Sequence, residues 1–167
     1  LKKDFLAIVK KGKKDGNIQN MLFSGPAGIG KTTVALALCD ELNCDYIVIN
    51  GSLDCGIDTL RTTIKNFAST VSLSGGRKVV ILDESDFIPV GSQSALRGVI
   101  EEFSKNARFI LTCNFKHKIL QPIWSRCTVI DFKIPDPEKR IIAATLHKRV
   151  IEILKKEGVT YQEKIVA

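Results

Sequence analysis

Apolar runs of strand length alternate along the chain with stretches of helical period, the pattern of an α/β fold built on a mostly parallel sheet. Five runs read as strands: Met21–Phe23, Tyr46–Ile49, Lys78–Leu82, Phe109–Thr112 and Thr128–Phe132, all rich in β-branched and aromatic residues. Helices are predicted in the gaps. Leu60, Ile64 and Phe67 form one apolar stripe, and Leu96, Val99, Ile100 and Phe103 form another, so both helices should pack on the sheet. At the N-terminus, Lys2, Lys3, Lys10, Lys11, Lys13 and Lys14 flank Phe5, Ile8 and Val9, as on the solvated face of a helix. The segment Ser72–Arg77, with Gly75 and Gly76, reads as a turn feeding the third strand. No internal repeat is present.

After the fifth strand, Asp136 is expected to cap a new helix with Pro137 at its first position, where a missing N–H costs nothing. Ile141, Ile142, Thr145, Leu146, Ile153 and Leu154 give that helix its apolar positions. Gly158, after Lys155 and Lys156, supplies its C-cap. Val159–Ala167 reads as the opening of another helix. We therefore expect a main domain over residues 1–134 and the start of a small helical subdomain over residues 135–167, with the boundary near Ile134 and Pro135.

A chain of 167 residues can bury a real core in one main domain. Its 44% hydrophobic and 26% charged residues are ordinary for a globular protein, and no apolar run approaches the roughly 18 residues a membrane span needs. No membrane partner is expected. The start, Leu1-Lys2-Lys3-Asp4, carries no secretory signal pattern and no initiator Met, and an excerpt of a longer protein is expected. Cys39, Cys44, Cys55, Cys113 and Cys127 are odd in number and show no C-x-x-C spacing, which predicts reduced thiols rather than a zinc or disulfide framework. The net charge of +7 suits a polyanionic partner, but basicity alone does not separate nucleic-acid binding from simple solubility.

Between the first strand and the helical Thr33–Leu42 lies Gly25-Pro26-Ala27-Gly28-Ile29-Gly30-Lys31-Thr32, which fits G-x-x-x-x-G-K-[ST] in the setting that motif requires. Four fixed positions would arise by chance in a chain of this length at roughly the one per cent level or below. Glycines let backbone N–H groups converge on phosphates, and the helix N-terminus, with Thr33 next in line, adds partial positive charge. Lys31 is expected to bridge the β- and γ-phosphates of ATP and the Thr32 hydroxyl to ligate Mg²⁺. Val79-Val80-Ile81-Leu82-Asp83-Glu84 reads as a buried strand delivering two carboxylates to its C-terminal end, where open α/β sheets bind ligands. An acidic pair in isolation is more often a solvated turn. Beside the phosphate loop, Asp83 suits the magnesium site and Glu84 the base that polarises the attacking water.

These residues resemble a known family. Gly25–Thr32, Asp83-Glu84-Ser85-Asp86, Asn114 after the fourth strand and Ser125-Arg126-Cys127 before the fifth are together similar to the AAA+ ATPase subunits of sliding-clamp loaders, the replication factor C small subunits and their bacteriophage counterparts. Further similarity lies in Ile57-Asp58-Thr59-Leu60-Arg61, in Asn66-Phe67-Ala68-Ser69 and in Gln93-Ser94-Ala95-Leu96-Arg97. The resemblance implies a P-loop AAA+ fold, a five-stranded parallel sheet flanked by helices, followed by the start of a helical lid. It implies an ATPase that loads a ring-shaped clamp onto primer–template DNA in a ring or spiral of subunits. The location would follow the source: the cytoplasm of an infected bacterium for a phage protein, the nucleus for a eukaryotic one.

By the same resemblance, Asn114 is the sensor that positions the attacking water, and Arg126 the arginine finger that reaches a neighbouring subunit's ATP. Arg61 and Lys65 would face the DNA channel, with Gln93 and Arg97 coupling DNA contact to Glu84. Without the family, a lone Arg or Lys on such a helix reads as solvated or paired with a surface carboxylate. The pattern departs from the family at Ser85, where cellular subunits usually carry Ala, and at Gly98, where many carry a second Arg. An adenine-contacting segment and the lid's second sensor Arg are not identifiable, which implies weak ATP binding by this chain alone. Two other readings stay open: another AAA+ DNA remodeller, such as a branch-migration motor or replication initiator, and a non-hydrolysing nucleotide-binding scaffold.

Overall fold

The computed structural model describes residues 2–15, 18–53, 56–72 and 77–159. All five sequence-predicted runs form strands: β1 Met21–Ser24, β2 Asp45–Asn50, β3 Lys78–Asp83, β4 Ala107–Cys113 and β5 Thr128–Asp131. They make one parallel sheet in the order β2-β3-β4-β1-β5. The helices are α1 Lys2–Asp15, α2 Lys31–Glu41, α3 Ile57–Ser69, α4 Val90–Glu102, α5 Gln121–Trp124 and α6 Asp136–Lys156. Single 3-10 turns lie at Ser85–Phe87 and Lys116–Lys118.

Parallel strands need crossovers, and these place helices on both faces of the sheet, so the central strands are apolar on both sides. Val79, Val80, Ile81 and Leu82 are all fully buried for this reason. Alternation along each strand divides them. Val80, Leu82, Phe109 and Leu111 pack with Leu60 and Ile64 of α3 and with Leu96, Val99 and Ile100 of α4. Val79, Ile81, Ile110 and Phe23 pack on the other face with Ala35, Leu38 and Cys39 of α2, where Phe5, Ile8 and Val9 of α1 close the layer. Phe5 meets Phe23 edge-on with ring centroids 5.5 Å apart, and Phe23 meets Phe132 at 5.2 Å. The α1 face carrying Lys10, Lys11, Lys13 and Lys14 is exposed, and Lys13 pairs with Glu41.

The chain divides into two compact units, Leu1–Phe132 and Lys133–Ala167. In the second, α6 starts one residue earlier than the cap reading: Pro135 takes the N-cap place and Asp136 is already helical. Pro137 is still tolerated, because the first four N–H groups of a helix have no intrahelical partner. Gly158 adopts a left-handed φ of 65° just past the last turn, and the Val159 N–H donates to Leu154 O at 3.0 Å. The helix expected from Val159 onward falls on residues 160–167, outside the described residues, as does the Gly75-Gly76 turn. Cys39, Cys44, Cys113 and Cys127 are free thiols, while Cys55 lies outside the described residues. Among the described residues no helix is long and apolar enough to cross a membrane.

Candidate functional site

The glycine loop leaves β1 under tight steric constraint. A Cβ on Gly25 would lie 2.4 Å from the Phe132 carbonyl oxygen, so only glycine lets β1 and the chain after β5 run this close. The Gly25 N–H donates to Cys113 O at 3.2 Å, which fastens the loop's first residue to β4. Gly28 and Gly30 turn the loop with φ of 73° and 89°, and added Cβ atoms there would meet open space. Pro26, Ala27 and Gly28 are exposed, and Ile29 packs part-buried beside the α1/α2 core. α2 then begins at Lys31, two residues before its sequence-predicted start, with Thr33 exposed in its first turn.

Lys31 is buried, and its ammonium donates to Gly25 O, Pro26 O and Asn114 Oδ1, each at 2.8 Å. A buried cation held by neutral acceptors at a helix N-terminus is a ready partner for an anion. The next residue, Thr32, donates its hydroxyl to Asp83 Oδ1 at 2.7 Å, joining the start of α2 to the end of β3. Asp83 Oδ1 also accepts the hydroxyl of Thr112 on β4. Glu84 follows in the left-handed region, φ 52° and ψ 41°, a costly conformation for a residue with a Cβ. Its N–H donates to Thr112 Oγ1 at 3.1 Å.

Beyond Glu84 the chain turns sharply, with Ser85 Oγ donating to Leu82 O at 2.7 Å. The buried Asp86 carboxylate reaches across to β4, where its Oδ2 accepts the N–H of Asn114 at 3.3 Å and of Phe115 at 3.2 Å. Asn114, which the family resemblance implies as the sensor, is held beside Lys31. These residues form two hydrogen-bonded sets at the C-terminal ends of β1, β3 and β4, Lys31 with Asn114, and Thr32 with Asp83 and, through Thr112, the Glu84 amide; the chain joins them at Lys31-Thr32. The sequence reading gave Thr112 no role beyond ending the fourth strand, and named Asp86 within the Asp83–Asp86 box without assigning it one. The available signal for Thr112 was a polar residue at the edge of an apolar run.

Among the described residues no group of three or more His, Cys, Asp or Glu could hold a metal by itself. Thr32 and Asp83 do suit Mg²⁺, which binds through one or two protein oxygens plus phosphate and water.

The other predicted residues lie outside these sets. Arg126 donates through Nη1 to Pro122 O at 2.6 Å, and its Nη2 pairs with Glu101 Oε1 at 2.7 Å. Arg97 reaches the same Glu101 oxygen at 3.4 Å. The hydrogen bond from Arg97, and then the charge of Arg126, hold the Glu101 carboxyl below the usual carboxylate range. Arg61 pairs with Glu102 at 3.0 Å, and Lys65 is exposed on α3. Gln93 differs from its expected setting. It is 2% exposed, its amide donates to Ile88 O at 2.9 Å and Lys118 O at 3.0 Å, and its oxygen accepts the Leu120 N–H. Burial and these internal bonds leave it no surface for a DNA backbone.

A parallel sheet with a glycine loop between β1 and α2 and paired acids at the end of β3 defines a P-loop NTPase fold. The chain belongs to the ATPase family associated with various cellular activities (AAA), whose profile matches residues 21–134. It is 43% identical over 153 residues to a replication factor C small subunit of Archaeoglobus fulgidus, covering 88% of this chain and 46% of that protein. With the sliding-clamp-loader large subunit of Enterobacteria phage T4 it shares 41% identity over 170 residues, covering 99% of this chain and 52% of that protein. Among solved structures, the Thermotoga maritima RuvB Holliday junction branch migration motor aligns with a TM-score of 0.72 at 18% identity, over 97% of this chain and 52% of that one. At that identity the likeness shows the fold alone. The chain spans about half the length of the curated relatives it matches.

Proposed function

We propose that this chain is the nucleotide-binding part of a clamp-loader ATPase subunit, which uses ATP to place a ring-shaped sliding clamp on primer–template DNA. The observation that carries the proposal is that Lys31 bonded to Asn114, and Thr32 bonded to Asp83 with the Glu84 amide held through Thr112, lie at one end of the sheet, in a chain about 40% identical to clamp-loader subunits. ATP is the substrate, with its phosphates against residues 25–33. Mg²⁺, bound at Thr32 and supported by Asp83, would supply charge neutralisation for the transferred phosphoryl group. Lys31 neutralises the β- and γ-phosphates, Glu84 takes up the proton of the attacking water, and Asn114 orients that water. A scaffold that never hydrolysed ATP would have no chemical use for Glu84.

Arg126 lies outside these sets and pairs with Glu101 in its own chain. It acts in trans, exchanging a weak, solvent-screened ion pair for the phosphates of a neighbouring subunit. In mixed complexes Arg126→Ala subunits should bind ATP normally while the neighbouring site loses hydrolysis. Weakened binding by the variant itself would remove Arg126 from this role. Arg61, Lys65 and Arg97 follow the DNA backbone, and residues 135–167 begin the helical lid. The partners are other loader subunits, the clamp and primer–template DNA.

The test of function is retention of a labelled clamp on primed circular DNA by the full protein with its partner subunits. Retention that requires ATP and primer supports the proposal. Branch migration of four-way junctions without any need for a clamp would instead place the protein among other AAA+ DNA motors.

A further inference from the structure

β4 alternates across the sheet, with Phe109, Leu111 and Cys113 facing the α3/α4 core and Ile110 facing α2. Thr112 therefore falls on the α2 side, the side from which Thr32 meets Asp83. It is 1% exposed, beside strands whose buried residues are almost all apolar. For packing alone a valine would suit this place, and a buried hydroxyl is tolerated only where it is hydrogen-bonded. Both of its capacities are used, and both on the acidic pair. The O–H donates to Asp83 Oδ1, and the oxygen accepts the Glu84 N–H at 3.1 Å.

We infer that Thr112 is a positioning residue for hydrolysis, a single hydroxyl that sets the direction of the Asp83 carboxylate and holds the backbone of Glu84 in its left-handed conformation. The inference rests on the reading of Asp83 and Glu84 given under the proposed function. Asp83 Oδ1 receives two hydroxyls, Thr32 from α2 and Thr112 from β4. With both in place, that carboxylate cannot turn without breaking a charge-assisted bond. Glu84 leaves β3 at φ 52°. An amide fastened to a neighbouring strand is what over-determines such a conformation. Neither bond touches nucleotide, so Thr112 acts through the two acids.

The experiment compares Thr112→Val, which keeps the shape and removes the hydroxyl, with Thr112→Ser, which keeps the hydroxyl. Both are measured in the full protein with its partner subunits. Steady-state hydrolysis is read together with the affinity for a fluorescent ATP analogue across a Mg²⁺ titration. Thr112→Val should lower kcat about tenfold or more, the scale of a lost hydrogen bond to a charged group. It should also raise the Mg²⁺ concentration needed for half-maximal tightening of nucleotide binding, with Mg²⁺-free affinity unchanged. Thr112→Ser should restore both values to within about twofold of the parent. Parent-like kcat and Mg²⁺ dependence in Thr112→Val, or equal losses in Thr112→Ser, would overturn the inference. If the valine variant does not fold, Thr112→Ala against Thr112→Ser makes the same comparison. Glu84→Gln is run alongside: if it still hydrolyses ATP, the reading of the acids fails and this inference with it. An inactive Glu84→Gln beside a parent-like Thr112→Val would defeat this inference alone.

Discussion

Gly25 carries a constraint that its motif alone does not express. Glycines in phosphate loops are explained by the approach of a ligand, yet the atoms nearest a Cβ at this residue belong to Phe132, its carbonyl oxygen at 2.4 Å and its own Cβ at 2.9 Å. Both are parts of the chain that cannot swing aside. Gly25→Ala should therefore destabilise the fold by about 1–3 kcal/mol, the usual cost of overpacking. A urea midpoint equal to the parent's would show that the chain after β5 yields at no cost. Lys31, Thr32, Asp83 and Glu84 were legible in the sequence because a motif fixes residue type, spacing and the strand–loop–helix setting together. Thr112 was not, because a β-branched residue at the end of an apolar run reads as strand filler. Gln93 was given its role of coupling DNA contact to Glu84 by resemblance alone, and nothing in the sequence pattern showed that its amide links the chain near Ile88 to the chain near Lys118 and Leu120 inside the domain.

Strands were the most legible elements, since a parallel sheet covered on both faces selects unbroken runs of Val, Ile, Leu and Phe. Their ends were less legible, because polar terminal residues such as Asp45, Asn50 and Asp83 extend the pairing beyond the apolar run. Lys78 illustrates how one residue can serve two elements. It opens β3, paired with Asp45 of β2, yet it is 5% exposed and its ammonium donates to Phe67 O at 2.5 Å and to Thr70. These are acceptors at the C-terminal end of α3, where a cation also complements the helix dipole. Lys78→Met keeps the stem and removes the charge, and should lower stability by about 1–3 kcal/mol through the lost charge-assisted bonds. An unchanged urea midpoint would mean that water replaces the ammonium without cost. Asp86 does the corresponding work between β3 and β4, since its carboxylate binds the two N–H groups that carry Asn114 and Phe115.

For the whole molecule, the strand order places β1 between β4 and β5, and the glycine loop leaves β1 towards α2 at the strands' C-terminal ends. Ligands bind at that edge in open α/β sheets, and here it also holds the acids and Asn114. The exposed cations Arg61, Arg97 and Arg126 are all paired with Glu101 or Glu102 at the C-terminal end of α4. Ion pairs this exposed are weak enough to yield to phosphate, whether from DNA or from a neighbour's nucleotide. The claim that joins these parts is that ATP turnover at Glu84 answers to DNA and a clamp. Its most direct test is steady-state ATP hydrolysis by the full protein with its partner subunits, with and without primer–template DNA and the sliding clamp. The expected result is marked stimulation by DNA and clamp together, lost by a factor of about 100 or more in Glu84→Gln while ATP binding persists. Turnover indifferent to the clamp, or unchanged in Glu84→Gln, would contradict it.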